Sequence, residues 1–343
     1  VYRSPMATQS PHREQSATEA IEVDAPARLH FGFLDLNGGL GRRFGSIGLA
    51  IDDIATRLTL RRGDHGETSE VPERAARILA WVAPLFGLEG PLHLTLQDTI
   101  PEHMGLGSGT QLGLSIAAAA AMLSGREASA RALAPLVERG ARSGIGIGAF
   151  DLGGFLVDAG KGESGSPAPI VSRLPFPSSW RVLLIFDREE RGLSGARETA
   201  AFESLAPFPP ELAARLCHIT LMRLLPGVAE ADFAAVAESI GEIQAHVGDY
   251  FAPAQGGRFA SPRVAAVLDW LRGAGHPGIG QSSWGPTGFV LVPSSDEAHA
   301  LRRELERRFA GGLSWRVCAA RNHGAELRRY AEVASHRTAV EGR

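Results

Sequence analysis

Apolar residues along the chain recur at two spacings. Ala27 to Leu34 reads as a strand; Arg57 to Arg61 and Leu92 to Gln97 alternate polar and apolar, as half-buried strands do. Between them, Ala76, Ile78, Leu79, Val82 and Phe86 mark a helix over Glu73 to Phe86. Two more helices are expected at Gln111 to Leu123 and Glu127 to Arg142, then a strand from Gly154 to Asp158. Residues 161–177 are rich in Gly, Ser and Pro and read as a loop and domain boundary. Beyond it the pattern gives a strand (Arg181 to Phe186), helices (Pro210 to Leu225, Glu230 to Val247, Ser261 to Gly273), strands (Ile279 to Ser283, Thr287 to Val292), a helix (Ser295 to Phe309) and a strand (Leu313 to Ala319). That order is the split βαβ of a ferredoxin-like domain with helical additions. The expected organisation is a tail (1–20), one domain over 21–177, a second over 178–335 and a tail (336–343).

Composition narrows the class without naming an activity. The 343 residues are 44% hydrophobic and 21% charged, as in ordinary globular enzymes. A net charge of -3 gives no electrostatic reason to expect nucleic acid or an anionic membrane as partner. Two cysteines, Cys217 and Cys318, are too few for a disulfide framework or metal cluster, and both are expected to pack as small apolar residues in a reducing cytoplasm. No apolar run is read as long enough for a membrane span. The polar first twenty residues lack the apolar core of a signal peptide.

Candidate chemistry concentrates in three places. Pro101 to Gln111 carries glycines at 105, 107 and 109 and runs into an apolar helix. Glycines let the backbone approach a ligand, and the helix start offers unpaired N–H groups and positive partial charge. Gly105, Leu106, Gly107, Ser108, Gly109 and Thr110 are therefore expected to cradle a phosphate, although they match neither the Walker nor the dinucleotide pattern. A plain turn before a buried helix is the simpler account. Arg28 and His30 lie two apart on a predicted strand and share a face, with Asp35 close behind in sequence. Arg28 suits a phosphate or carboxylate and His30 a proton transfer; a surface ion pair and a half-buried histidine would also explain them. Ser282, Ser283 and Trp284 offer hydroxyls and an indole for an aromatic acid, or simply core packing beside a Gly-Pro turn. Arg321, Asn322 and His323 are polar enough for a cleft, and Arg42 and Arg43 could steer an anion or stay solvated.

The Gly-Leu-Gly-Ser loop behind the Pro26-Ala27-Arg28-Leu29 opening, together with Gly278 to Thr287, resembles the GHMP kinase superfamily. Within it, the stretches Pro26 to Leu36, Gly45 to Ile51, Arg142 to Phe150, Gly192 to Gly195 with Glu198, and Gln281 to Pro286 resemble the β-ribofuranosylaminobenzene 5′-phosphate synthase family. The resemblance implies an α+β fold: an N-terminal domain like ribosomal protein S5 domain 2 and a ferredoxin-like C-terminal domain. It implies condensation of phosphoribosyl pyrophosphate with 4-aminobenzoate or 4-hydroxybenzoate, with loss of carbon dioxide and pyrophosphate, in methanopterin biosynthesis. Mg²⁺, a homodimer and catalytic roles for Arg28, His30 and Asp35 come with it; no metal ligands are identified. Two positions depart from the kinases of the superfamily. Gly109 stands where they carry a second serine, and Gly146 stands where some carry an aspartate assisting the attacking hydroxyl. An ATP-dependent metabolite kinase and a non-catalytic phosphometabolite sensor are the alternatives.

Overall fold

In the computed structural model, residues 18–63, 71–190, 192, 205–309 and 311–332 are described. Two long strands dominate the first half: β1 (Thr18–Asp35) and β2 (Phe44–Arg62), an antiparallel pair joined by a hairpin. A sheet grows around them in the order β10-β1-β2-β4-β5, with β3 (Leu92–Asp98) also pairing β2. β4 is Phe155–Asp158 and β5 is Ile170–Leu174. Helices α1 (Glu73–Leu85) and α2 (Ser108–Leu123) share a core with Ile21, Val23, Leu58 and Leu60. Five consecutive alanines, Ala117 to Ala121, are all buried in α2, so small side chains let it pack closely.

The second half builds an antiparallel sheet in the order β7-β8-β6-β9, from β6 (Arg181–Asp187), β7 (Ile279–Gln281), β8 (Gly288–Val292) and β9 (Leu313–Cys318). α8 (Pro262–Gly273) and α9 (Ser295–Arg308) cover one face through Leu183, Ile185, Val290 and Val292. The alternate residues Val182, Leu184, Phe289 and Leu291 face a core shared with Leu29, Phe31 and Phe33 of β1 and with α7 (Phe233–Gln255). Strand alternation thus serves two cores from one sheet. The ferredoxin-like order expected from the sequence is present.

Several elements differ from expectation. β2 begins at Phe44, so the glycine-bearing stretch Gly45 to Ile51 is strand. β5 lies inside the expected 161–177 loop. The helix expected over 127–142 is only α3 (Ala130–Leu133) and a 3₁₀ turn (Ala134–Val137), because Pro135 and then Gly140 interrupt it. α4 (Ile145–Asp151) forms where alternating glycines suggested a connection. The expected 210–225 helix is α5 (Pro210–Ile219), a π-turn (Thr220–Leu224) and α6 (Leu225–Glu230), where Pro226 lacks the N–H for a regular turn. By length and composition this run of 21 residues could cross a membrane; here Leu216, Ile219, Leu224 and Val228 are core residues. The 177/178 division does not separate the sheets: β10 (Glu326–Glu332), from the far end of the second half, pairs with β1 from Thr18↔Glu332 to Asp24↔Glu326.

Candidate active site

The glycine-rich loop meets β1 and the β7–β8 turn at one point. The Gly105 carbonyl accepts hydrogen bonds from the Arg28 guanidinium and from the Ser282 hydroxyl, 2.7 Å away. Ser282 Oγ in turn accepts from the His30 N–H at 3.1 Å, and Thr287 Oγ1 donates to Met104 O at 2.6 Å. Gly105 (φ +75°) and Gly107 (φ +89°) are left-handed, a conformation costly for other residues. A Cβ on Gly105 would overlap the Ser282 carbonyl oxygen, and one on Gly107 would sit 3.3 Å from Arg28 Cγ. α2 starts immediately after, with no side chain capping it. The loop is partly exposed and runs directly into the N-terminus of α2, whose first N–H groups lack helical partners.

Sequence reasoning missed two arginines here. Arg74, in the first turn of α1, and Arg139, after the 3₁₀ turn, both reach Gly109. A Cβ on residue 109 would overlap Arg74 Nη2 and lie 3.2 Å from Arg139 Nη2. Glycine stands there because guanidinium groups fill the space. Arg74 also pairs with Glu102 of the loop at 2.9 Å. Burial, with Arg74 adding to it, pulls the Arg139 pKa down. Neither arginine belongs to a motif, so their convergence had no local signal.

His30 is 2% exposed and edge-on to the Phe33 ring at 4.8 Å. It faces a small cleft lined also by Phe33, Val247, Phe251, Arg258, Ser283 and Trp284. The Gly32 N–H donates to His30 Nδ1 at 3.3 Å, which assigns the ring proton to Nε2. Nε2 is buried and has no hydrogen-bond partner among the described residues. Burial, with Arg28 adding to it, pushes the His30 pKa down to about 3, so the ring is neutral near pH 7. In this tautomer Nε2 donates. A proton-accepting role at Nε2 would require the opposite tautomer, with Nδ1–H facing the Gly32 N–H.

The other expected residues divide. Trp284, 5% exposed, touches Phe251 edge-on at 4.5 Å and lines the pocket with Ser283. Ser282 is fully buried between two backbone groups, so its hydroxyl joins the two halves rather than facing the pocket. Asp35 is away from Arg28, roughly 20 Å along the strand. Its carboxylate accepts from the Asn37 and Gly38 N–H groups and shapes the hairpin, which removes it from the catalytic set. Arg42 and Arg43 bond carbonyls at 36, 159 and 160 beside that hairpin. Arg321 and Asn322 bind Asp24 and Phe176 rather than a cleft. Cys318 packs in the core, its thiol pushed up to about 12 by burial, whereas Cys217 is exposed. Gly192 donates to His103 O at 2.9 Å, beside the loop; Leu193 to Glu198 lie outside the described residues.

The kinase aspartate position is also closed. A Cβ on Gly146 would lie 3.0 Å from Thr110 Cγ2. The nearby carboxylate is Asp158, buried and bonded by Ser46 (2.6 Å), Gly144 (2.8 Å) and Gly160 (2.8 Å) as it anchors the start of α4. No group of three or more His, Cys, Asp or Glu side chains suited to a metal occurs among the described residues.

Known proteins resemble this chain in sequence and in fold. The profile for the GHMP kinases N terminal domain matches residues 72–155, and that for GHMP kinases C terminal matches 224–311. The beta-ribofuranosylphenol 5′-phosphate synthase of Methanothermobacter thermautotrophicus is 35% identical over 297 residues, covering 79% of this chain and 88% of the relative. That of Archaeoglobus fulgidus is 31% identical over 327 residues, 90% and 99% of the two chains. The chain belongs to the beta-ribofuranosylphenol 5′-phosphate synthase family. Its fold is that of GHMP kinases, as solved structures show. Mevalonate diphosphate decarboxylase from Enterococcus faecalis superposes with a TM-score of 0.64 at 18% identity, covering 92% of this chain and 100% of that one. Homoserine kinase from Cytophaga hutchinsonii gives 0.61 at 18%, covering 94% and 100%. The chain therefore carries the synthase family's sequence on the fold of GHMP kinases.

Proposed function

We propose that this chain joins phosphoribosyl pyrophosphate to 4-hydroxybenzoate, or to 4-aminobenzoate, releasing pyrophosphate and carbon dioxide. The observation that carries this reading is the meeting of an arginine-lined phosphate cradle and an aromatic-lined pocket at the Gly105–Ser282 junction. The bond from ribose C1 to pyrophosphate breaks, and the electron pair leaves with pyrophosphate. The ring carbon bearing the carboxylate attacks the electron-deficient ribose carbon, pushed by the para oxygen or nitrogen. The bond to the carboxylate then breaks, its pair restores the aromatic ring, and carbon dioxide departs. The proton lost from the para group during attack returns to it afterwards.

Each part of the site has a task. Loop N–H groups, Arg28 and the α2 N-terminus hold donor phosphate and offset its charge. Phe33, Phe251 and Trp284 shape a slot for the ring. The His30 Nε2–H, lacking a protein partner among the described residues, donates to an oxygen of the acid. An oxygen accepts such a bond better than an aniline nitrogen, and the curated relatives carry phenol in their names, so 4-hydroxybenzoate is the favoured acceptor. Mg²⁺ fits this reading as a companion of the donor phosphates, since no group of three or more ligating side chains occurs among the described residues.

The test is release of label. With 4-hydroxybenzoate labelled at its carboxyl, labelled carbon dioxide should appear only when phosphoribosyl pyrophosphate is present, and without ATP. Donor binding with no release from either acid would move the chain to the phosphometabolite-sensor reading.

A further inference from the structure

The arginine pair at Gly109 needs its own explanation. Arg74 and Arg139 come from separate segments, carry like charge, and converge on one glycine at the positive end of α2. Arg139 Nε is buried without a hydrogen-bond partner among the described residues, although guanidinium N–H groups rarely go unpaired when buried. On the other side of the loop, Arg28 lies against Gly107. Positive charges that approach one another inside a partly buried loop raise the energy of the empty site; a bound anion with several charges relieves it. Glu102 pairs with Arg74 Nη1 and Glu138 acts on Arg139, but the Glu102 pairing leaves Arg74 Nη2 on the Gly109 side.

We propose that Arg74 and Arg139, whose guanidinium groups converge on Gly109 beside the start of α2, form a two-guanidinium clamp for the diphosphate group of the donor. Guanidinium forks bind phosphate oxygens in pairs, so two of them suit two linked phosphoryl groups. A serine in place of Gly109 would press on the guanidinium end of Arg74 and shift it from this position. As pyrophosphate leaves, the clamp offsets the charge that builds on it. The inference rests on reading the loop as the donor site, and its test is independent of turnover.

Inorganic pyrophosphate and inorganic phosphate are titrated separately into the full chain by calorimetry. The wild-type chain should prefer pyrophosphate by tenfold or more. Arg139→Gln and Arg74→Gln should each weaken pyrophosphate at least tenfold, Arg139→Lys should recover part of the loss, and Gly109→Ser should resemble Arg74→Gln. Glu102→Gln, which removes the salt bridge and keeps the guanidinium, should bind pyrophosphate as well as or better than wild type. Arg74 is partly exposed on α1, so its variant tests the clamp even where Arg139→Gln melts early. Folded variants that hold pyrophosphate within twofold of wild type would overturn the clamp. So would a wild type with no preference over phosphate, or a Glu102→Gln loss equal to that of Arg74→Gln. Intact clamp behaviour without carbon dioxide release would instead sink the synthase reading alone.

Discussion

At the scale of single residues, His30 and Gly107 decide most. His30 stays neutral because burial, with Arg28 adding to it, depresses its folded pKa to about 3, while its unfolded value is the ordinary 6.5. Between these values the unfolded chain binds the extra proton, so His30 favours folding above pH 6.5 and its contribution is lost as pH falls through the window. The slope is at most about 1.4 kcal/mol per pH unit. His30→Gln should flatten the acid limb of urea midpoints measured from pH 4 to 7 and lower kcat/KM for the aromatic acid about tenfold. An unchanged acid limb would contradict the burial argument. At Gly107, alanine must adopt φ +89° against the Arg28 side chain, at a cost of about 1–2 kcal/mol. KM for the donor should rise at least fivefold; steady-state kinetics at fixed acid checks it.

At the scale of elements, the site depends on β1 serving both halves. Its early residues pack under α2, its later ones against α7 and the second sheet, and Arg28 and His30 lie where the two environments meet. Register shifts at Pro26/Ala27 and His30/Gly32 re-aim the side chains along the strand. The loop is tied to this strand and to the β7–β8 turn through Gly105. Gly105→Ala should therefore do more damage than Gly107→Ala, because its Cβ would force apart the loop and Ser282. Thermal melts should show the larger drop for the 105 variant, with donor and acid binding lost together.

At the scale of the molecule, the chain closes on itself. After β9 it returns to the first sheet, where Arg321, 5% exposed, bonds the side chain and carbonyl of Asp24. Asn322 exchanges two hydrogen bonds with the Phe176 backbone at 2.8 and 2.9 Å. Asp24 keeps its pair with Arg57 when Arg321 is removed, so the loss is that of hydrogen bonds to a charged group, about 1.5 kcal/mol. Arg321→Ala should lower the urea unfolding free energy by that order, while the site, lying elsewhere, keeps its KM in the folded fraction. A neutral variant would show that β10 pairing alone secures the return.

The sequence by itself determined the features that are local. Period-two and period-3.6 patterns fixed most strands and long helices, and the glycine spacing marked the phosphate loop because left-handed turns and close approaches require glycine at those positions. It also carried the family, through motifs spread over both halves. Tertiary structure decided what depends on approach from a distance. It turned Asp35 and Ser282 into supports, set the His30 tautomer through Gly32, brought Arg74 and Arg139 to Gly109, and sent β10 back to β1. Hydrophobic periodicity reports which face of an element is buried. It carries no information on which charged side chain, from another element, arrives at the same point.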